Sequence, residues 1–514
     1  MLKIAQNKHF IFLFLRFYTI LVSVMKNNKL VNILKSFSIG EIKSLEKFII
    51  SPFFKAGRDI NDLFKILKSN YPEFDSDEID RENVFEKLFP DQKYNELKLK
   101  NLASALTYLA EQFLIHNSLK SSEIYSDELL AFEYNKRDID KLFISSINSL
   151  ELKLDKKLFD SDNCFSEEDK VERLKEEFYL RRDNYHKSIP AKLRYSELFT
   201  ETFLIRFLRM LKDKIILTGG YNTKFESPVI SAMTEGIDIE KIISVLEKNN
   251  YSKIWLVKIY YYALRSAENS DERKYYQKYR QAFIENINFF SRREKYFIFN
   301  DFLHYCTRNY VITHKHSFRA ECFEIYKEMF QNNVLSPFED GFLSIVEFRN
   351  IVFTAISVEE YGWLREFLDK HSEKLKPENR ESMLNLAKAY ISFKESDFHT
   401  ALNYINRVQY DVFLYKLDIK NLLLRIYYEL NLFDQAFQLT DSYRHFLDSS
   451  SEFSDTFKMQ YYNFINFYNK ILNAKDAGNY SIINSVISDM KKTEVVAFKV
   501  WLIEKAVALL KDKN

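Results

Sequence analysis

Eight glycines and seven prolines are all the turn-forming punctuation in this chain of 514 residues. Together they make up about 3% of it, against roughly 12% in average proteins. β-Rich and α/β folds use glycine freely in tight turns and ligand loops. A chain so poor in both residues points to helices, which need little of either. Hydrophobic residues reach 46% and charged residues 29%, so the chain is globular rather than disordered. The predicted fold class is all-α.

The prolines are Pro52, Pro72, Pro90, Pro190, Pro228, Pro337 and Pro377, and each lies between helical patterns or at the start of one. In FIISPFFKAG (48–57) the capping pattern Ser38-x-x-Glu41 opens a helix. Pro52 pushes Ser51 out of the α region, so that helix stops near Ile50. Phe53 and Phe54 then read as anchors of a packed helix–helix corner, and Ser336-Pro337-Phe338 as a second use of the device. Leu102, Leu106, Leu109 and Phe113 recur at spacings of a helix face. Further helices are predicted near 138–157, 167–186, 196–217, 239–249, 252–268, 271–289, 292–311, 318–332, 342–356 and 358–373. The series continues near 378–394, 398–408, 412–430, 433–448, 453–474 and 495–512. Ser291-x-x-Glu294 and Ser357-x-x-Glu360 read as capping boxes within this series. Thr218-Gly219-Gly220-Tyr221, with the polar loop to Pro228, marks the predicted boundary between an N-terminal helical domain (25–217) and a C-terminal one (228–514).

The first 24 residues stand apart. Phe10 to Val24 is membrane-like in its apolar character but carries Arg16 in its middle, and it would span about 22 Å as a helix, short of the roughly 30 Å hydrocarbon core. Three readings stay open for residues 1–24: codons upstream of a true start at Met25, a weak membrane anchor, or an extra helix. Cys164, Cys306 and Cys322 form no CxxC, and so sparse and odd a set fits free thiols in the cytoplasm.

Residues 383–408 and 420–445 each read as helix, short loop, helix. Tyr390 lies late in the first helix of one pair and Tyr427 late in that of the other; Ala401 and Ala436, 35 residues apart, begin the partner helices. This resembles the tetratricopeptide repeat, with its 34-residue period. It departs from that pattern in lacking the helix-A Trp, the Leu-Gly pair and the closing Pro. The resemblance implies an α-solenoid with a face for a protein or peptide partner, no catalytic residues and no cofactor. The run from Ser36 through Leu114 resembles the start of a family of bacterial helical proteins, a likeness that brings no function with it.

The charged residues nearly cancel, at a net +2, so no global field draws the chain to nucleic acid or membrane. Locally, 181–214 holds nine cations against four acids, interleaved with Tyr185 and Tyr195. Arg181, Arg182, Arg194, Arg206, Arg209 and Lys212 are its candidate contacts to an anion or nucleic acid; the plainer reading is a solvated face. His304, Cys306, His314, His316 and Cys322 are ligand types gathered within 19 residues. Residues two apart on a helix point in different directions, and the set reads as ordinary core and surface, with no metal. Phosphate-loop, dinucleotide, zinc-protease and nucleophile-elbow motifs are absent. The leading expectation is a non-enzymatic scaffold or adaptor; the alternative is a regulator that contacts nucleic acid through 181–214.

Overall fold

The computed structural model describes residues 28–53, 58–162, 165–220, 226–269, 272–313, 315–338, 341–409, 413–450 and 455–511. Among them are 24 α-helices, three single-turn 3-10 helices and no strand, only an isolated bridge between Phe159 and Phe290. The all-α expectation holds. No helix of the described residues is long and apolar enough to cross a membrane. Residues 1–24 lie outside them, as do Phe54, Cys164 and His314.

The chain packs as two compact units. One holds the described residues up to Lys157 and Ser166–Phe199; the other holds those of Leu158–Phe165 and those from Thr200 onward.

The first unit begins with α1 (Lys29–Ser36), α2 (Ile39–Ile50), α3 (Arg58–Lys68), α4 (Arg81–Leu88) and α5 (Glu96–Ser121). α5 packs against α1, α2 and α3. Leu106, Leu109 and Phe113 are buried there and Leu102 is partly buried, so the face read from the sequence does meet the core. The capping box of α2 is formed: Glu41 N–H donates to Ser38 Oγ at 3.2 Å, and Ser38 N–H to the Glu41 carboxylate at 2.7 Å. α2 ends at Ile50 as predicted, but Phe53 is 86% exposed and anchors no corner. The buried stripe of α2 is Ile42, Leu45 and Ile49. Ser51 takes up extended backbone (φ −57°, ψ 129°), so the chain leaves the helix before Phe53 can continue that stripe. Phe338 is likewise 67% exposed, while Ser336 beside its proline is buried.

Next come α6 (Glu123–Lys136), which was not predicted, α7 (Asp140–Leu154) and α8 (Ser166–Leu180). Phe143 and Phe178 stack at 4.0 Å among Ile147, Leu150 and Leu174. α9 (Tyr185–Gly220) crosses the division at Phe199 and Thr200, and Pro190 lies inside it. Proline was expected only between or at the start of helical patterns. In the second turn it removes a single hydrogen bond, the one to the His186 carbonyl, which is tolerable so near a terminus.

The second unit contains α10 (Pro228–Gly236), α11 (Ile239–Lys248), α12 (Ile254–Glu268), α13 (Arg273–Glu285), α14 (Arg292–Thr313), α15 (His316–Gln331), α16 (Ile345–Ser357) and α17 (Tyr361–His371). α18 (Pro377–Lys394), α19 (Phe398–Ile405), α20 (Phe413–Glu429), α21 (Phe433–Ser449), α22 (Asp455–Asp476), α23 (Ile483–Lys492) and α24 (Lys499–Lys511) follow. Neighbours pack as pairs: α12 with α13, α14 with α15, α16 with α17, α18 with α19, and α20 with α21. α10 and α23 were not predicted; Ser227 caps α10, with Pro228 at its first position.

One turn recurs. Asp138, Asp183, Asn250, Asn333, Glu359, Ser396, Asn431 and Gly478 all have φ between 50° and 63°. After each, the next N–H bonds to the carbonyl five residues earlier, at 2.9–3.1 Å, which satisfies the end of the helix. Glycine usually takes this left-handed position; here it does so once in the eight turns. The shortage of glycine therefore leaves the turn geometry in place and moves it onto polar residues, five of the eight being the Asn or Asp that tolerate it best. The same turn corrects Ser357-x-x-Glu360. Ser357 closes α16, its hydroxyl donating to the Thr354 carbonyl at 2.7 Å, and caps no new helix.

Candidate functional site

In the second unit, the C-terminal half of α9 carries Arg206, Met210, Asp213, Lys214 and Leu217 at positions i, i+4, i+7, i+8 and i+11, one stripe of a helix. With Ser161, Asp162, Thr218 and Ile230 this stripe lines a cleft of about 1090 Å³.

The segment 158–162 forms one wall, and paired hydrogen bonds tie it down. Phe159 N–H donates to the Phe289 carbonyl and Ser291 N–H to the Phe159 carbonyl, both at 2.8 Å. Glu294, 2% exposed, then holds Ser161: its carboxylate accepts from Ser161 N–H at 3.0 Å and from Ser161 Oγ at 2.8 Å, and also from the Tyr260 hydroxyl. Ser291 does cap α14, accepting from Glu294 N–H at 3.1 Å. The expected box is only half made, because the Glu294 side chain turns inward to Ser161 instead of back to the cap.

The cations of α9 are set against this wall. Arg206 Nε donates to the Ser161 carbonyl at 3.4 Å, and its Nη2 to that of Asp162. Arg209 pairs with Asp162 at 2.6 Å and also donates to Ser161 Oγ. Burial pulls the Arg209 guanidinium down, but Glu294, Asp162 and Asp213 outweigh it and leave its pKa above the ordinary arginine value. Lys212 is buried and pairs with both Asp301 oxygens, at 2.8 and 2.6 Å, and with Asp213 at 3.1 Å. Burial lowers its pKa too, and again the two aspartates win, holding it above the usual lysine value. Tyr279 donates to the same Asp301 at 2.9 Å.

The other three candidates from the sequence belong to the first unit. Arg181 meets Asp138 at 3.2 Å, Arg182 meets Asp140 at 2.5 Å and lies over the Phe178 ring, and Arg194 meets Glu197 at 2.5 Å. Five of the six cations thus face a carboxylate of their own unit, and Arg206 faces carbonyls.

The positions read as repeat markers lie in α18–α21. Ala401 and Ala436 are fully buried, and each is the fifth residue after a left-handed turn, Ser396 or Asn431. Tyr390 is buried and donates to the Asp418 carbonyl at 3.1 Å. It stands six residues before its turn; Tyr427, half-buried, stands four before its own. Nearby, Arg349 grips Asp418 with two hydrogen bonds, and Arg425, 6% exposed, lies over the Phe498 ring at 4.3 Å.

Among the described residues no three His, Cys, Asp or Glu side chains gather as a metal ion would require. Cys306 and Cys322 are buried free thiols, and burial keeps His304 below the usual histidine range. Sequence reasoning missed Ser161, Asp162, Glu294 and Asp301. The only local signal was Ser291-x-x-Glu294, which located Glu294 and gave it the wrong role. No family model, curated protein or solved structure matches the chain.

Proposed function

We propose that the protein is a non-enzymatic helical-repeat scaffold of tetratricopeptide-like build, and that its C-terminal hairpins bind another protein. One observation carries this reading: the recurrence of a single helix–turn–helix design. The turns at Glu359, Ser396 and Asn431 are 37 and 35 residues apart, close to the 34-residue period of that repeat. The fifth residue after each turn, Leu364, Ala401 or Ala436, is fully buried. At Ala401 and Ala436 the small side chain lets the paired helices approach, and arrays of such pairs present long faces suited to partners. The free thiols of Cys306 and Cys322 support a cytoplasmic setting. The nucleic-acid alternative has less behind it, because six of the nine cations of 181–214 already face carboxylates.

Cross-linking of the tagged full chain in its native cell tests the proposal. The expected result is one partner protein joined repeatedly through lysines of α17, α18 and α20. If cross-links form only within the chain, at the level of an untagged control, the scaffold reading fails.

A further inference from the structure

We infer that the cleft along α9 is a binding site for a small anionic amphiphile, a carboxylate-type head on an apolar body. The argument is one of unmatched charge beside apolar surface. The two acids of the lining are already occupied: Asp162 by Arg209 and Arg293, and Asp213 by Arg209 and Lys212. Two cations of the lining are not matched in this way. Arg206 is exposed and donates only to two main-chain carbonyls, which leave its charge uncompensated and three of its five N–H donors unused. Lys214, two turns further along the same stripe, makes no ion pair among the described residues.

Beside these cations the wall is apolar. Met210 and Leu217 from α9 and Ile230 from α10 line it, and Leu217 is 52% exposed. A charged head set on Arg206 and Lys214 would therefore leave its apolar body lying along Met210, Leu217 and Ile230. The volume of about 1090 Å³, just above the roughly 300–1,000 Å³ of ordinary small-ligand clefts, has room for such a molecule. The ion pairs of Arg209 and Lys212 give the site a rigid back wall, because Glu294 and Asp301 hold it from inside the unit. A purely apolar ligand would leave both cations facing it without partners, and a cationic one would meet them in repulsion.

Calorimetric titration of the full chain at low salt tests this with three probes of equal chain length: decanoate, decan-1-ol and decyltrimethylammonium, each below its micelle-forming concentration. Decanoate is expected to bind one per chain, decanol at least tenfold more weakly, and the ammonium compound not at all. Lys214→Ala should weaken decanoate several-fold and leave decanol unchanged; Leu217→Asp should weaken both. Arg206→Ala should act like Lys214→Ala. It also frees the Ser161 and Asp162 carbonyls, so thermal melting is recorded beside it, and Lys214→Ala carries the test alone if Arg206→Ala unfolds. Equal binding of decanoate and decanol, or decanoate binding untouched by Lys214→Ala, overturns the inference. So does failure of decanoate alongside tight binding of an apolar peptide with a free C-terminal carboxylate, which would make the cleft a peptide site.

Discussion

Glu347 sits in surroundings that fit its charge poorly. It is 7% exposed near the start of α16, its Oε1 has no hydrogen-bond partner, and burial pushes its pKa up to about 7 despite a bond from Tyr326. In the unfolded chain it titrates near its ordinary 4.5. The folded form therefore binds the proton more tightly. That contribution to stability is complete below about pH 4.5 and is lost as pH rises to 7 and beyond. The loss is on the order of 3 kcal/mol for a shift of this size. Glu347→Gln, which cannot ionise, is expected to match the native chain in urea unfolding at pH 4.5 and to exceed its stability at pH 8. Equal midpoints at both values would mean that Glu347 finds a partner when charged.

At the scale of the element, the left-handed turns set the terms. A non-glycine residue in that conformation costs about 1–2 kcal/mol, and glycine gives back about 0.5–1 through its greater freedom when unfolded. Glu359, exposed at φ 63°, is the least suited of the eight by chemistry. Glu359→Gly is expected to raise stability by roughly 0.5–1 kcal/mol, read as a higher melting temperature. An unchanged or lower melting temperature would show that the Glu359 side chain contributes something the turn alone does not explain. These turns also explain what could be read beforehand. α5 was legible from its strong apolar spacing, and α18 and α20 also because each ends at a polar turn residue, Ser396 or Asn431. α6 was not, because Ser122 alone separates it from α5 and the pattern shows no break. The cleft was legible only by half. Composition flagged Arg206, Arg209 and Lys212, but Ser161 and Asp162, the partners of the two arginines, lie more than 40 residues upstream, Asp301 lies 89 residues beyond Lys212, and Glu294 lies 133 residues from Ser161. No periodicity reports a contact across such a separation.

At the scale of the molecule, two units with their own apolar cores predict two events in unfolding. Trp255, Trp363 and Trp501 all belong to the second unit, while helix runs through both. In a urea titration, tryptophan fluorescence is therefore expected to follow one transition and far-UV circular dichroism to spread over two. Superimposable curves would mean that the units unfold as one. The segment 158–162 adds a consequence for synthesis. It lies between two stretches of the first unit, yet its hydrogen-bond partners all belong to the second, the furthest along the chain being Phe289, Ser291 and Glu294. At roughly 5–20 residues per second, Ser161 leaves the ribosome on the order of ten seconds before Glu294 does. Over that interval a newborn chain carries this wall without the anchors that hold it from behind, and the second unit cannot close until the first is already made.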